Sequence, residues 1–197
     1  MKRAFYKPRL VTGVIFSLLF FCPPAIYAFE EVPIIPRCKS LEPQEGFYPL
    51  QQQIRISITG GTSLEDQLKA NAERFAVFLR KGAGLKVTAV GKGKAGESEI
   101  KLRVAPDMFE NKVAGAYRLS VDQNGTHIIG ADAQGVFYGL QSLKQMLPAA
   151  IFQQNYAAHR EAFSDLRIGF VEIEDAPRFK WRGFMRDSCR HIQTIDK

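Results

Sequence analysis

From residue 54 the chain alternates: Ile54, Ile56 and Ile58 are apolar, and Arg55 and Ser57 between them are polar. Successive side chains of a strand point to opposite faces, so period two predicts a strand with one buried face. The same period returns in Glu99–Val104, in Tyr117, Leu119 and Val121, around Ile128-Ile129, and in Arg167–Glu174. Two stretches change period. Leu64, Leu68, Ala72, Phe75, Phe78 and Leu79 recur at helical spacing. Thr62 and Ser63 stand before them as N-cap candidates with Glu65 or Asp66 three residues on, and Gly82 and Gly84 close the run. Asp132 caps a second helix, Ala133 to Leu147, stopped by Pro148 and striped by Val136, Phe137, Leu140, Leu143 and Leu147. Gly135 and Gly139 lie in this helix, where each costs about 1 kcal/mol relative to alanine. Two such residues on one side predict close approach to a sheet or a partner.

The connections follow from turn and breaker residues. Pro33, Pro36, Pro43 and Pro49 exclude a regular helix before the first alternating strand and predict an extended lead-in with short edge strands. Gln123-Asn124-Gly125 between two alternating runs predicts a β-hairpin. Asn124-Gly125-Thr126 is also a glycosylation sequon, but turn chemistry accounts for it. The Gly/Lys-rich GKGKAGES lacks the GxxxxGK[ST] spacing and opens no helix, so it reads as a solvated loop rather than a phosphate site. Residues 149–165 read as a polar loop. About five strands and two one-faced helices then remain, which predicts an α+β fold: a mostly antiparallel sheet with two helices on one face.

Composition alters this picture chiefly at the ends. The 197 residues carry a formal net charge of +7, but Lys2, Arg3, Lys7 and Arg9 supply four of those charges and no acid precedes Glu30. Without them the charge is +3, and no basic run is interleaved with aromatics, so nucleic acid is not an expected partner. The basic MKRAFYKPR, the apolar LVTGVIFSLLFFC and the small-residue PPAIYA form the three zones of a secretory signal peptide over residues 1–28, cleaved after Ala28. Its apolar run of 13 residues is short of the ~20 that a spanning helix needs, so no membrane span is expected after cleavage. Export to the periplasm or the extracellular space follows. Cys22 comes after bulky Phe21, a poor residue before a lipidated cysteine. Cys38 and Cys189 remain, either as a disulfide or as two buried thiols. His127, His159 and His191 are far apart and no CxxC occurs, so neither a metal nor a cofactor is expected.

The body up to residue 174 presents no Ser/His/Asp arrangement and no converging carboxylates. The chemistry-bearing residues collect in the last stretch, DAPRFKWRGFMRDSCRH. Asp175-Ala176-Pro177 breaks the preceding strand, Phe179, Trp181 and Gly183-Phe184-Met185 predict a new apolar one, and Arg182, Arg186, Asp187, Arg190 and His191 crowd around its far end. Two readings stand on the residues alone. One is an edge strand with solvated charges. The other is the first strand of a (β/α)8 barrel, whose active-site groups gather at the C-terminal ends of its strands.

The same stretch resembles the start of the catalytic barrel in family 20 glycoside hydrolases, the β-N-acetylhexosaminidases. That family shows D-x-P-R-F-x-x-R-G and then D-x-x-R-H, matched here by Asp175, Pro177, Arg178, Phe179, Arg182, Gly183, Asp187, Arg190 and His191. VPIIPRCKSLEPQEGFY and YRLSVDQNGTHIIGADAQGVFYGLQSLKQMLP are similar to the lead-in and to the last hairpin and helix of that family's N-terminal domain. After the signal peptide of residues 1–28, the resemblance implies an N-terminal α+β domain over 29–174 and the truncated start of a TIM barrel over 175–197. It implies an enzyme that hydrolyses terminal β-linked N-acetylglucosamine or N-acetylgalactosamine with retention, the substrate's own acetamido oxygen attacking the anomeric carbon. An adjacent Asp-Glu pair does the protein's share in that family, and it is expected downstream of Lys197, so no catalytic residue is assigned within this chain and the chain alone is expected to be inactive. Arg190 is expected to bind sugar hydroxyls through its fixed fork of donors, with Asp187 and His191 in support. Arg186 departs from the family pattern, which has an apolar residue there. The alternative from another class is a non-catalytic carbohydrate-binding or interaction domain.

Overall fold

The computed structural model describes residues 32, 34–59, 65–89, 98–110, 113–153, 166–181, 183 and 185. Seven strands and two long helices follow one another as β1 (Ser40–Pro49), β2 (Gln53–Thr59), α1 (Glu65–Ala83), β3 (Lys86–Ala89), β4 (Ser98–Val104), β5 (Tyr117–Asp122), β6 (Gly125–Gly130), α2 (Ala133–Gln145) and β7 (Arg167–Asp175). The strands form one sheet in the order β1-β7-β5-β6-β4-β2-β3.

The α+β class holds, and the sheet is mixed rather than mostly antiparallel. β2 pairs parallel with both β3 and β4, and β4 pairs parallel with β6. The antiparallel pairs are β1 with β7, β5 with β6 and β5 with β7. The reason is the placement of the helices. α1 connects β2 to its parallel neighbour β3, and α2 connects β6 to β7, which lie parallel on either side of β5. A connection through a helix returns the chain to the same end of the sheet, so it joins parallel strands. β3 is a further departure from the expected set: four residues long, with Val87 its one buried side chain.

Both helices bury one stripe. α1 contributes Leu68, Ala72, Phe75, Ala76 and Leu79, while Phe78 is half-buried against the same core. α2 contributes Val136, Leu140 and Leu143, with Phe137 half-buried. Facing them from the sheet are Ile54, Ile56, Ile100, Leu102, Leu119 and Ile128, each at 1% exposure or less. Burying such a side chain stabilises the fold by about 1.5–3 kcal/mol, so this layer is the main source of stability. The Asn71 side chain ties the helices together, its Nδ2 donating to the Ala133 carbonyl at 3.0 Å.

The ends of α2 form as its sequence requires. Asp132 Oδ1 accepts from the Gly135 amide at 2.7 Å, and Oδ2 accepts from the Gly115 amide at 3.0 Å. One carboxylate thus caps the helix and anchors the loop before β5. The two helix glycines mark close approach to the sheet. A Cβ on Gly139 would stand 2.5 Å from Ile128 Cγ2, and one on Gly135 would run into the Ala116 carbonyl oxygen. In the hairpin the loop is Gln123-Asn124, and Gly125 already pairs with Asp122 as the first residue of β6. Asp122 Oδ1 accepts from the Asn124 amide at 2.6 Å and tightens that loop.

The sheet face that carries Arg55, Ser57, Glu99 and Lys101 is polar. Arg55 and Glu99 are register partners joined at 2.8 Å, and Ser57 Oγ donates to the same carboxylate at 2.9 Å. Arg118 and Glu174 repeat the arrangement between β5 and β7 at 2.8 Å. Among the described residues no helix is long and apolar enough to cross a membrane.

Candidate functional site

Where β7 ends, the chain turns out of the sheet through Asp175, Ala176 and Pro177, the first residues of the motif singled out in the sequence. Four contacts fix this exit. Asp175 Oδ1 accepts from the Lys39 amide at 3.1 Å, and Arg178 donates through a terminal nitrogen to the Arg37 carbonyl at 2.7 Å. Ala176 packs on a small cluster of Phe109, Ala116, Ala131 and Ile129. Pro177 lies against Gly115, at which a Cβ would stand 3.0 Å from Pro177 Cγ. The exit is therefore held to the lead-in on one side and to the loop before β5 on the other.

Beyond Arg178 the expected apolar strand does not form in the described residues. Phe179, Trp181 and Met185 are 69%, 86% and 94% exposed, and no described residue pairs with them. A strand requires a neighbour for its backbone groups, and alternation alone supplies none. Asp187, Arg190 and His191 lie outside the described residues, as do Arg182, Arg186, Cys189 and the signal-peptide segment 1–28. The pairing of Cys38 with Cys189 falls outside them for the same reason.

Just inside the exit is a buried polar group that the sequence did not reveal. The Tyr117 hydroxyl lies 2.6 Å from Ser142 Oγ and 4.0 Å from Cys38 Sγ. It joins the lead-in, the interior strand β5 and α2. Burial drives the Tyr117 phenol well above its ordinary range, outweighing the Ser142 hydrogen bond, and burial together with the nearby Asp175 charge raises the Cys38 thiol. Both groups therefore stay protonated at neutral pH and serve as hydrogen-bonding groups rather than as nucleophile or base. Tyr117 was legible only as an apolar member of an alternating strand, and Cys38 as half of a disulfide or as a buried thiol, the second of which the structure shows.

Several of the described carboxylates on the sheet and helices are engaged in structure. Glu99 is held by Arg55, Ser57 and Lys101, Glu174 by Arg118, Glu73 by Arg80 and Glu65 by Lys69. Asp132 caps α2 and Asp175 pins the exit. Burial alone would raise the Glu99 carboxyl, but the Ser57 hydroxyl and the Lys101 and Arg55 charges outweigh it and hold it below the usual range. Among the described residues no three His, Cys, Asp or Glu side chains converge as a metal site.

Known proteins share this architecture. The chain is 32% identical over 165 residues to a β-hexosaminidase of Porphyromonas gingivalis, a match covering 83% of this chain and 19% of that protein. It is 36% identical over 77 residues to a β-hexosaminidase of Akkermansia muciniphila, covering 39% of this chain and 13% of the relative. Its fold matches the solved structure of a mutant Streptomyces plicatus β-hexosaminidase in complex with its product GlcNAc, with a TM-score of 0.62 and 27% identity, over 83% of this chain and 30% of that one. The chain thus spans about a fifth of the length of the P. gingivalis relative. The family model described as glycosyl hydrolase family 20, domain 2, matches residues 31–176, from the proline-rich lead-in to the exit at Ala176, and this chain belongs to that family.

Proposed function

We propose that residues 29–174 are the N-terminal domain of an exported β-N-acetylhexosaminidase, and that the segment from Asp175 onward begins its catalytic barrel. The observation that carries this reading is the position of the family match: it runs through residue 176, where the Asp175-to-His191 motif begins. The pinned exit gives the domain a physical task. Held by Lys39, Arg37 and Gly115, it fixes where and in what direction a following strand would start.

The reaction is removal of a terminal β-linked N-acetylglucosamine or N-acetylgalactosamine with retention. The substrate's acetamido oxygen attacks the anomeric carbon, and an Asp-Glu pair downstream of Lys197 orients it and handles the proton. Arg190 holds hydroxyls of the reacting sugar, and Asp187 and His191 support it. Export rests on the basic, apolar and small-residue zones of residues 1–28. The 197-residue chain by itself releases no sugar, since the reading places the Asp-Glu pair that handles the proton downstream of Lys197.

The test has two arms. The reading frame after Lys197 is expected to encode a barrel containing an adjacent Asp-Glu pair. The purified chain is expected to release nothing from a chromogenic N-acetyl-β-glucosaminide, and turnover abolished by Arg190→Ala would overturn the assignment of chemistry to downstream residues.

A further inference from the structure

One concavity of the domain combines buried residues with exposed ones at the end of β1 and in the hairpin loop. It measures about 340 Å³ and lies beside the β1–β7 edge, lined by Phe47, Tyr48, Gln51, Ser98, Gln123 and Phe170 among others, none of them charged. Volumes of about 300–1,000 Å³ with an apolar lining and a few placed polar groups are those of small-molecule sites.

Its shape depends on an irregularity in β1. The register with β7 shifts between Pro43 and Phe47, and Gly46 there has φ +119°, a conformation that L side chains rarely adopt. A Cβ on Gly46 would stand 2.5 Å from Phe170 Cε2, so the glycine lets the Phe170 ring lie directly on the backbone. Bulges of this kind redirect side chains and recur beside binding sites. Phe47, next to the shift, is 59% exposed, and the Arg167 guanidinium sits 4.9 Å from its ring centre. The floor is fixed: Ser98 Oγ accepts from the Gln51 amide at 2.9 Å and donates to the Pro49 carbonyl at 3.1 Å, and the Tyr48 hydroxyl accepts from the Glu99 amide at 3.1 Å. Above that floor the Phe47 ring and the Gln51 and Gln123 side chains reach solvent.

The lining is neutral and carries aromatic surface and two carboxamides, with one cation, Arg167, placed on the Phe47 ring. It matches a pyranose, whose C–H face lies on an aromatic ring while equatorial hydroxyls and an acetamido group exchange hydrogen bonds with amide side chains. We propose that this concavity is a glycan-binding site of the domain that holds one N-acetylhexosamine unit. The choice of that sugar rests on the hexosaminidase reading; the neutral, aromatic and amide-bearing character of the site does not.

The test is a titration of the 197-residue chain with N,N′,N″-triacetylchitotriose and, separately, with cellotriose, followed by amide chemical-shift changes in NMR. Saturable binding of chitotriose with a Kd on the order of 1 mM is expected, as suits a small, open site. Phe47→Ala is expected to weaken it at least about 5-fold, which is the scale of one aromatic contact. Gln123→Ala is expected to weaken it about 3-fold, and Phe152→Ala, an exposed aromatic outside this lining, leaves it unchanged. Phe47 and Gln123 are both exposed, so neither variant empties the core. Absence of saturable chitotriose binding overturns the proposal, as does a Kd unmoved by both variants. Equal affinity for cellotriose overturns the assignment of N-acetylhexosamine. The reading frame after Lys197 tests the hexosaminidase reading by itself, so a failure there is told apart from a failure of binding here.

Discussion

Replacing Tyr117 by phenylalanine removes one oxygen from the centre of the domain, and the structure sets its cost. The hydroxyl lies 2.6 Å from Ser142 Oγ, with Tyr117 at 3% exposure and Ser142 at 6%. The lost hydrogen bond itself matters little, because in the unfolded chain both groups bond to water. The larger effect is that Ser142 Oγ is left buried with its partner gone, at about 1–3 kcal/mol. A serine inside a helix can turn to the carbonyl four residues back, here that of Tyr138, which moves the expectation to about 1–2 kcal/mol. For a body of this size that lowers Tm by roughly 2–8 °C. Ser142→Ala strands the Tyr117 hydroxyl, with only the thiol of Cys38 4.0 Å away, and is expected to cost a similar amount. The double variant leaves neither group stranded and is expected to cost less than either single change, a coupling of about 1–2 kcal/mol. Urea unfolding at pH 7 followed by far-UV circular dichroism measures all four proteins, since the single tryptophan, Trp181, is 86% exposed and reports little of the core. Additive single effects would refute the reasoning, because they would mean that the two oxygens do not satisfy each other.

Two further outcomes follow from other contacts. Gly135→Ala should gain the roughly 1 kcal/mol of helix propensity that alanine offers, yet destabilise the domain by about 1–3 kcal/mol net, because the new methyl meets the fixed Ala116 carbonyl; a raised Tm would show that α2 can move off the sheet. Glu99 has a folded-state carboxyl held below its unfolded value of about 4.3, so its contribution is present above that pH and is lost as pH falls through the lower folded value. Glu99→Gln should therefore flatten the fall in urea stability below about pH 4.5 while wild type remains steeper there, and identical acid limbs would exclude this carboxylate as a contributor.

Much of the fold could be read from the chain, and the losses have physical causes. The second helix was legible in full, because Asp132, the apolar stripe and Pro148 are all local signals, and its glycines do approach the sheet as their cost implied. Strand direction was not legible. Alternation in Gln53–Thr59 and Ser98–Val104 reports that one face is polar, and an antiparallel sheet is the usual home of that pattern. Here parallel strands carry it, because both helices cover the same face and leave cross-strand pairs such as Arg55 with Glu99 on the other. β3 escaped notice because four residues with one buried side chain are too few to show a period. The glycan-binding concavity escaped notice as well, since Phe47, Gln123 and Phe170 are far apart in the chain and meet only through the β1 bulge and the hairpin loop.

The pairing of the first strand with the last has a consequence in time. Lys39 and Asp175, which clasp each other at the sheet edge, are separated by 136 positions. At a synthesis rate of about 5–20 residues per second, β1 is made roughly 7–27 s before its partner exists. Throughout that interval the nascent chain carries an unpaired ten-residue edge, interrupted by Pro43 and Pro49. Prolines cannot donate to a foreign ladder, so the same residues that make the lead-in irregular protect it from premature association while it waits.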